Sequence, residues 1–216
     1  MADKLQRELS NRHIQLIAIG GAIGTGLFLG AGASIHLAGP SILLTYIIVG
    51  FILFMFMRAM GELLLSNLGF KSFGDIAHHH IGSMAGFMVG WTYWLTWIIS
   101  GMAEVTAVAK YVDFWYPDMP NWITAAATIL VLVALNLFSA KLFGELEFWL
   151  SIIKVITILA LIIVGIVMVI FAMKTDYGPA TVTNIWKEGG FFPNGASGFF
   201  MSFQMAIFSF IGIELI

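Results

Sequence analysis

Six apolar runs, each about as long as a bilayer-crossing helix, constrain this chain more than any other feature. A helix needs about 20 apolar residues, at about 1.5 Å each, to cross about 30 Å of hydrocarbon. The chain is 60% hydrophobic and 10% charged, whereas soluble domains average about 45–50% and about 25%. We therefore expect an all-α integral membrane protein. The predicted spans are residues 14–37, 41–65, 82–111, 122–140, 148–173 and 197–216.

Composition also excludes several classes of partner and site. The net charge is −2 and there is no cysteine, so the chain lacks the basic face that nucleic acid requires and any thiolate zinc site. His78, His79 and His80 are consecutive; on a helix such neighbours point about 100° apart and do not converge on one ion. We expect no metal, no cofactor and no nucleic acid. The surrounding residues 71–81 are too short to cross and fit an interfacial helix.

The distribution of lysine and arginine predicts the orientation. With the N-terminus in the cytoplasm, the inner ends and loops carry seven of these residues and the outer side carries three, in agreement with the positive-inside rule. Residues 1–13 are then a cytoplasmic segment, and residues 14–216 form the transmembrane domain. Residues 14–37 exceed the about 7–15 apolar residues of a signal peptide. A membrane protein with several spans and a cytoplasmic N-terminus is expected.

The first span contains an unusual concentration of glycine, at positions 20, 21, 24, 26, 30 and 32. A dinucleotide fingerprint is excluded, because Gly26 and Gly30 are one residue too far apart and no strand precedes them. Two interpretations remain open from this span alone. The glycines either permit close helix packing or interrupt the helix so that freed backbone groups bind a ligand.

The sixth span favours an interruption. Gly212 and the ionisable Glu214 lie within this apolar run. Gly24 lies about 15 Å into the membrane from the inner side, and Gly212 lies about 22 Å in from the outer side. Both positions are near or just beyond the midplane, on spans that enter from opposite sides. Paired interruptions of this kind are the best sequence indication of a transporter site.

Helix dipoles indicate the ligand. After the first interruption a helix begins with its positive end at the midplane, near Thr25, and before the second a helix ends with unpaired carbonyl groups expected around residues 208–211. Each end carries about half an elementary charge. A positive end facing a negative end matches a carboxylate and an ammonium held close together, as in an α-amino acid.

Two further ionisable residues lie within predicted spans. Lys154 is about 9 Å into the hydrocarbon. Its charge either has a role in the function of the protein, as intramembrane charges commonly do, or its side chain extends back to the interface. Glu104 either faces an aqueous vestibule or rests at the outer interface. Arg58 and Glu62 are four residues apart and are interpreted as an interfacial ion pair rather than a site.

Several stretches resemble the bacterial amino-acid permeases of the amino acid–polyamine–organocation superfamily, with the greatest likeness to D-serine/D-alanine/glycine transporters. The first and longest contains the clustered glycines, and the last contains Gly212 and Glu214. They are distributed over nearly the whole chain. The matching stretches are residues 11–28, 37–41, 57–67, 90–94, 143–145, 147–149 and 210–215.

The resemblance implies proton-coupled import of a small neutral amino acid by a fold of two inverted five-helix repeats. In matching positions, Lys154 corresponds to a lysine that replaces a sodium ion in proton-coupled relatives, and Glu214 to an acidic residue of the broken sixth helix. The ligand carboxylate would be bound near the first break and the ammonium near the second. The implied substrate-binding residues are Ile23, Gly24, Thr25, Gly26, Phe208, Ile211 and Gly212.

The chain differs from the family pattern in extent. Family members have about twelve spans, whereas these residues correspond to the first repeat and the outer part of helix six. We therefore expect a truncated permease that requires further C-terminal helices for transport. A non-transporting amino-acid sensor or scaffold, or an inactive fragment, is the alternative. A membrane enzyme is not expected, because no cluster of catalytic side chains lies at one depth.

Overall fold

The computed structural model describes residues 16, 19–21, 23–137, 140–176, 178–187 and 189–215. Most of this part of the chain is helical. Short 3₁₀ turns cover Gly39–Ser41 and Ile213–Leu215, and two-residue strands β1 (Lys174–Thr175) and β2 (Gly178–Pro179) pair antiparallel. The helices are α1 (Thr25–Phe28), α2 (Gly30–Ala38), α3 (Ile42–Ser66), α4 (Phe73–His80), α5 (Ser83–Trp115), α6 (Asn121–Asn136), α7 (Ala140–Ile170), α8 (Asn184–Lys187) and α9 (Gly195–Ser209).

Helices occupy most of each apolar run, but their ends differ from the predicted ones. α5 continues past the predicted end at residue 111 and stops at Trp115. The next residue, Tyr116, precedes a proline, and residues before proline disfavour the helical conformation. Accordingly, Tyr116 takes a ψ of 70°. α7 begins well before the predicted start at residue 148. Its first turns contain polar residues that are good helix formers. Apolar content locates the membrane-compatible part of a helix and not its ends.

Two stretches of the described chain are long and apolar enough to cross a membrane. They are Gly30–Ser66, with 37 residues, and Gly144–Ile170, with 27. In the first, a turn at Gly39, where φ is 57°, separates α2 from α3. In the second, large apolar side chains such as Ile153 and Ile163 are exposed. Extended exposed apolar surface of this kind is typical of membrane or protein contact.

The described residues fall into two compact units, of which the first comprises those that lie within Met1–Val49 and Val133–Ile216. Here α2 packs antiparallel against α9 through small residues on both helices. Gly30, Ser34 and Ala38 form the buried stripe of α2. Gly198, Ser202 and Ala206 form that of α9. Small side chains let two helix backbones approach closely within a membrane, so this pair forms a tight interface.

The second unit comprises Gly50–Leu132 and includes the predicted interfacial helix. α4 begins at a capped end, where the Ser72 hydroxyl accepts a hydrogen bond from the Asp75 N–H and the Asp75 carboxylate accepts one from the Lys71 N–H. This reciprocal arrangement stabilises a helix start. α4 then packs against α5 at Gly86, where an added Cβ would lie 2.9 Å from the Gly74 carbonyl oxygen. His79 and His80 lie against the ring of Phe70.

Candidate functional site

The first span is interrupted at Ile23 and Gly24. The backbone is helical at residues 19–21 and becomes extended at Gly24, with φ −121° and ψ −164°. α1 then begins at Thr25, and the Gly24 carbonyl accepts hydrogen bonds from the N–H groups of Leu27 and Phe28. Among the described residues, no side chain caps this helix start. The glycine cluster therefore coincides with an interruption, and a positive helix end lies at residues 24–26.

The sixth span is interrupted after Ser209, where α9 ends. Two turns follow, in which the N–H groups of Phe210 and Ile211 donate to the carbonyls of Ile207 and Phe208. The prediction of unpaired carbonyls is therefore wrong for Phe208, and also for Phe210, whose carbonyl accepts the Ile213 N–H. The reason is that the chain tightens into 3₁₀-type bonds at the helix end. A carbonyl oxygen has two lone pairs, so this end still offers acceptor capacity and the negative end of the helix dipole.

Backbone atoms of the two interruptions are in direct contact. A Cβ added to Gly26 would lie 2.7 Å from Ser209 Cα and 2.9 Å from the carbonyl carbon of Phe208. One added to Gly212 would lie 2.9 Å from the Gly21 carbonyl oxygen, and Gly212 also has a φ of 101°. Glycine is required at both positions, because a side chain would separate the backbones and Gly212 adopts a conformation that other residues avoid.

Lys154 reaches the segment that leads into the first interruption. Its Nζ donates a hydrogen bond to the Gly20 carbonyl oxygen over 3.0 Å, and its side chain is half-buried. Ser151, one turn earlier on α7, fills the space where a side chain at Gly20 would lie. The Lys154 side chain therefore points to the first span.

The remaining predicted residues occupy different places. Glu214 closes the second interruption locally, since its carboxylate accepts a hydrogen bond from the Gly212 N–H over 3.0 Å. Thr25 and Ile211 are half-buried beside the two interruptions. Glu104 belongs to the second unit, where it lies on α5 with its side chain exposed. Arg58 and Glu62 form the predicted i,i+4 pair at 3.4 Å, and both side chains are exposed.

Sequence reasoning missed the hydroxyl residues that join α3 to α9. Thr45 Oγ1 and Ser202 Oγ are 2.9 Å apart, and the Tyr46 hydroxyl is 2.9 Å from Ser209 Oγ. Sequence reasoning also missed Asn194, whose side-chain amide donates to the carbonyls of His36 and Leu37 at the end of α2. Their only sequence signal is a polar side chain within or beside an apolar run, which several other positions share.

Comparison with known proteins identifies the family. The amino acid permease family matches residues 13–216. The chain is 55% identical over 213 residues to a D-serine/D-alanine/glycine transporter of Escherichia coli (strain K12), covering 98% of this chain and 45% of that protein. It is likewise 55% identical over 213 residues to the amino-acid permease AapA of Bacillus subtilis (strain 168), covering 99% and 46%.

A third relative has a different named substrate. The aromatic amino acid transport protein AroP of Escherichia coli (strain K12) is 49% identical over 215 residues, covering 99% of this chain and 46% of that protein. No solved structure matches the chain. The chain spans a little under half the length of these curated relatives. With a family match over nearly all its residues and membrane-capable helices, the chain belongs to the amino acid permease family of membrane transport proteins.

Proposed function

We propose that this chain forms the substrate-binding half of a proton-coupled importer of small neutral amino acids in the bacterial cytoplasmic membrane. The observation that carries the proposal is the backbone contact between Gly26 and Ser209, which brings the start of α1 and the end of α9 together. Leu29 keeps helical φ and ψ, so α1 continues into α2 and the start of this combined helix is positive, whereas the end of α9 is negative. The carboxylate and ammonium of an amino acid match these two ends.

Each interruption has a role in this proposal. The backbone of residues 23–26, with the Thr25 hydroxyl, binds the substrate carboxylate. Carbonyl groups near Phe208 and Ile211 bind the ammonium, and Gly212 allows the chain to turn away from it. The Glu214 carboxylate supports this turn, because it already accepts the Gly212 N–H.

The small neutral substrate class is favoured by one relative, and acceptance of both D- and L-forms by a physical reason. Backbone groups that recognise only the two charged ends respond weakly to the hand of Cα. A relative 55% identical to this chain is named for D-serine, D-alanine and glycine. The relative named for aromatic amino acids represents the alternative side-chain class.

Proton coupling is assigned to Lys154. An ionisable group within an apolar span is a functional candidate, and this one contacts the first span at Gly20. The N-terminus is placed in the cytoplasm on the distribution of lysine and arginine. The proposed architecture is a five-helix repeat and the outer part of helix six. During transport this repeat would rock against a second, inverted repeat.

The transport proposal is tested in two proteins. The first is the chain itself in lipid nanodiscs, for binding of radiolabelled glycine. The second is a chimaera that joins the chain to the remainder of the E. coli D-serine/D-alanine/glycine transporter, for uptake into vesicles. Concentrative uptake by the chimaera supports the proposal. Binding without uptake in the chimaera supports the non-transporting sensor instead.

Competition for glycine uptake should show that the site binds both the carboxylate and the ammonium of the amino acid. Glycine, alanine and serine are expected to inhibit glycine uptake, with D-forms competing comparably to L-forms. Ethylamine and acetate each leave one helix end desolvated and unpaired, which costs about 1.5–3 kcal/mol and weakens inhibition at least about tenfold. Inhibition constants in chimaera vesicles measure this. Strong inhibition by ethylamine or acetate contradicts the two-ended site, whereas preference for aromatic amino acids contradicts only the substrate class.

A further inference from the structure

Two matched hydrogen bonds connect α3 to α9 on one face of α9. Thr45 is paired with Ser202 and Tyr46 with Ser209, each at 2.9 Å. Both serines also donate to a carbonyl within α9, Ser202 to Phe199 over 2.7 Å and Ser209 to Met205 over 2.9 Å. Each serine hydroxyl has one proton, so Tyr46 is the donor to Ser209. Thr45 is the donor to Ser202, since its other acceptor, the Ser41 carbonyl oxygen, is farther away at 3.5 Å.

The two bonds differ in their distance from the second interruption. Ser202 lies in the middle of α9, about two helical turns before Ser209. Ser209 is the last residue of α9, it is 6% exposed, and its backbone touches Gly26. The ring of Tyr46 also lies 6.0 Å, centroid to centroid, from the ring of Phe210, the first residue after the helix. Tyr46 therefore contacts both sides of the point where α9 ends.

We propose that Tyr46 is a positioning residue that holds the end of α9 against the first interruption, and so fixes the carbonyl groups which bind the substrate ammonium. The assignment of those carbonyls to the substrate rests on the proposed function. The placement of Tyr46 is independent of the proposed function, because its contacts with Ser209 and Phe210 are present without a ligand. Tyr46 contacts Ser209 and Phe210, neither of which is a proposed substrate-binding residue.

The test compares Tyr46→Phe with Thr45→Val in the 216-residue chain in nanodiscs. Each variant removes one hydroxyl donor from the same helix pair and keeps most of the side chain. Amide hydrogen exchange at Phe210 and Ile211, whose N–H groups bond to Ile207 and Phe208, is expected to accelerate about fivefold in Tyr46→Phe, from the usual worth of one buried hydrogen bond. Thr45→Val should leave these two amides within about twofold of the parent.

Glycine affinity supplies the second readout. Tyr46→Phe and Ser209→Ala should each weaken binding at least about fivefold. The double variant should be no weaker than Ser209→Ala alone, because Ser209→Ala already removes the hydrogen bond that Tyr46→Phe removes, together with the bond to the Met205 carbonyl. Equal effects of Tyr46→Phe and Thr45→Val on exchange and affinity would show that Tyr46 only stabilises the helix pair, and would overturn the proposal. If neither the parent chain nor the chimaera binds glycine, the proposed function fails, while the exchange comparison still decides the role of Tyr46.

Discussion

Replacing Gly26 with valine is expected to abolish amino-acid binding while the protein still inserts into the membrane. A Cβ at this position would lie 2.7 Å from Ser209 Cα and 2.8 Å from its nitrogen. These are backbone atoms at the end of a packed helix, so the two interruptions must separate to admit the side chain. Overpacking costs about 1–3 kcal/mol, and at the upper end affinity falls more than about 100-fold.

Radiolabelled glycine binding to the chain in nanodiscs and to the chimaera measures this effect. Gly32→Val is the matched control, because it places the same side chain on the following helix, α2. There an added Cβ has no neighbour within 4 Å in the described chain beyond its own helical turns. The control should insert and bind like the parent. Undiminished glycine affinity in Gly26→Val would contradict a substrate site at this contact. The glycines of the first span would then serve only close helix packing.

Replacing Lys154 with methionine is expected to eliminate proton-driven accumulation of substrate. Methionine keeps much of the length and apolar stem of lysine but carries no titratable amine and no donor for the Gly20 carbonyl, which Lys154 reaches at 3.0 Å. Accumulation should collapse to passive equilibration. Exchange of internal for external substrate should persist, because exchange requires no net proton movement.

Both activities are measured in chimaera vesicles with an imposed proton gradient, from mildly acidic to mildly alkaline external pH. Lys71→Met serves as the control, since Lys71 is an exposed lysine of the second unit. It should accumulate substrate like the parent. Equal uphill accumulation by Lys154→Met and the parent across this pH range would remove Lys154 from the coupling role. Loss of exchange together with accumulation would indicate a structural role at Gly20.

Features that depend on a few neighbouring residues were predictable from the sequence. The apolar runs around α3 and α7 identify membrane-compatible helices, because hydrocarbon thickness sets a minimum apolar length. The interruption at Gly24 follows from a dense glycine cluster, and that at Gly212 from glycine beside an ionisable residue. Both signals are local, since glycine permits backbone conformations that other residues avoid.

The class of protein, the approximate positions of the helices and the two places where helices break all follow from the order of the residues. Only the tertiary structure decided which groups meet there: Gly26 with Ser209, Tyr46 with Ser209 across 163 residues, and Lys154 with the Gly20 carbonyl across 134. Apolar periodicity cannot distinguish one hydroxyl or amine within a span from another. Partners so far apart in the chain are selected by the packing of whole helices, in which small residues set how closely two backbones approach.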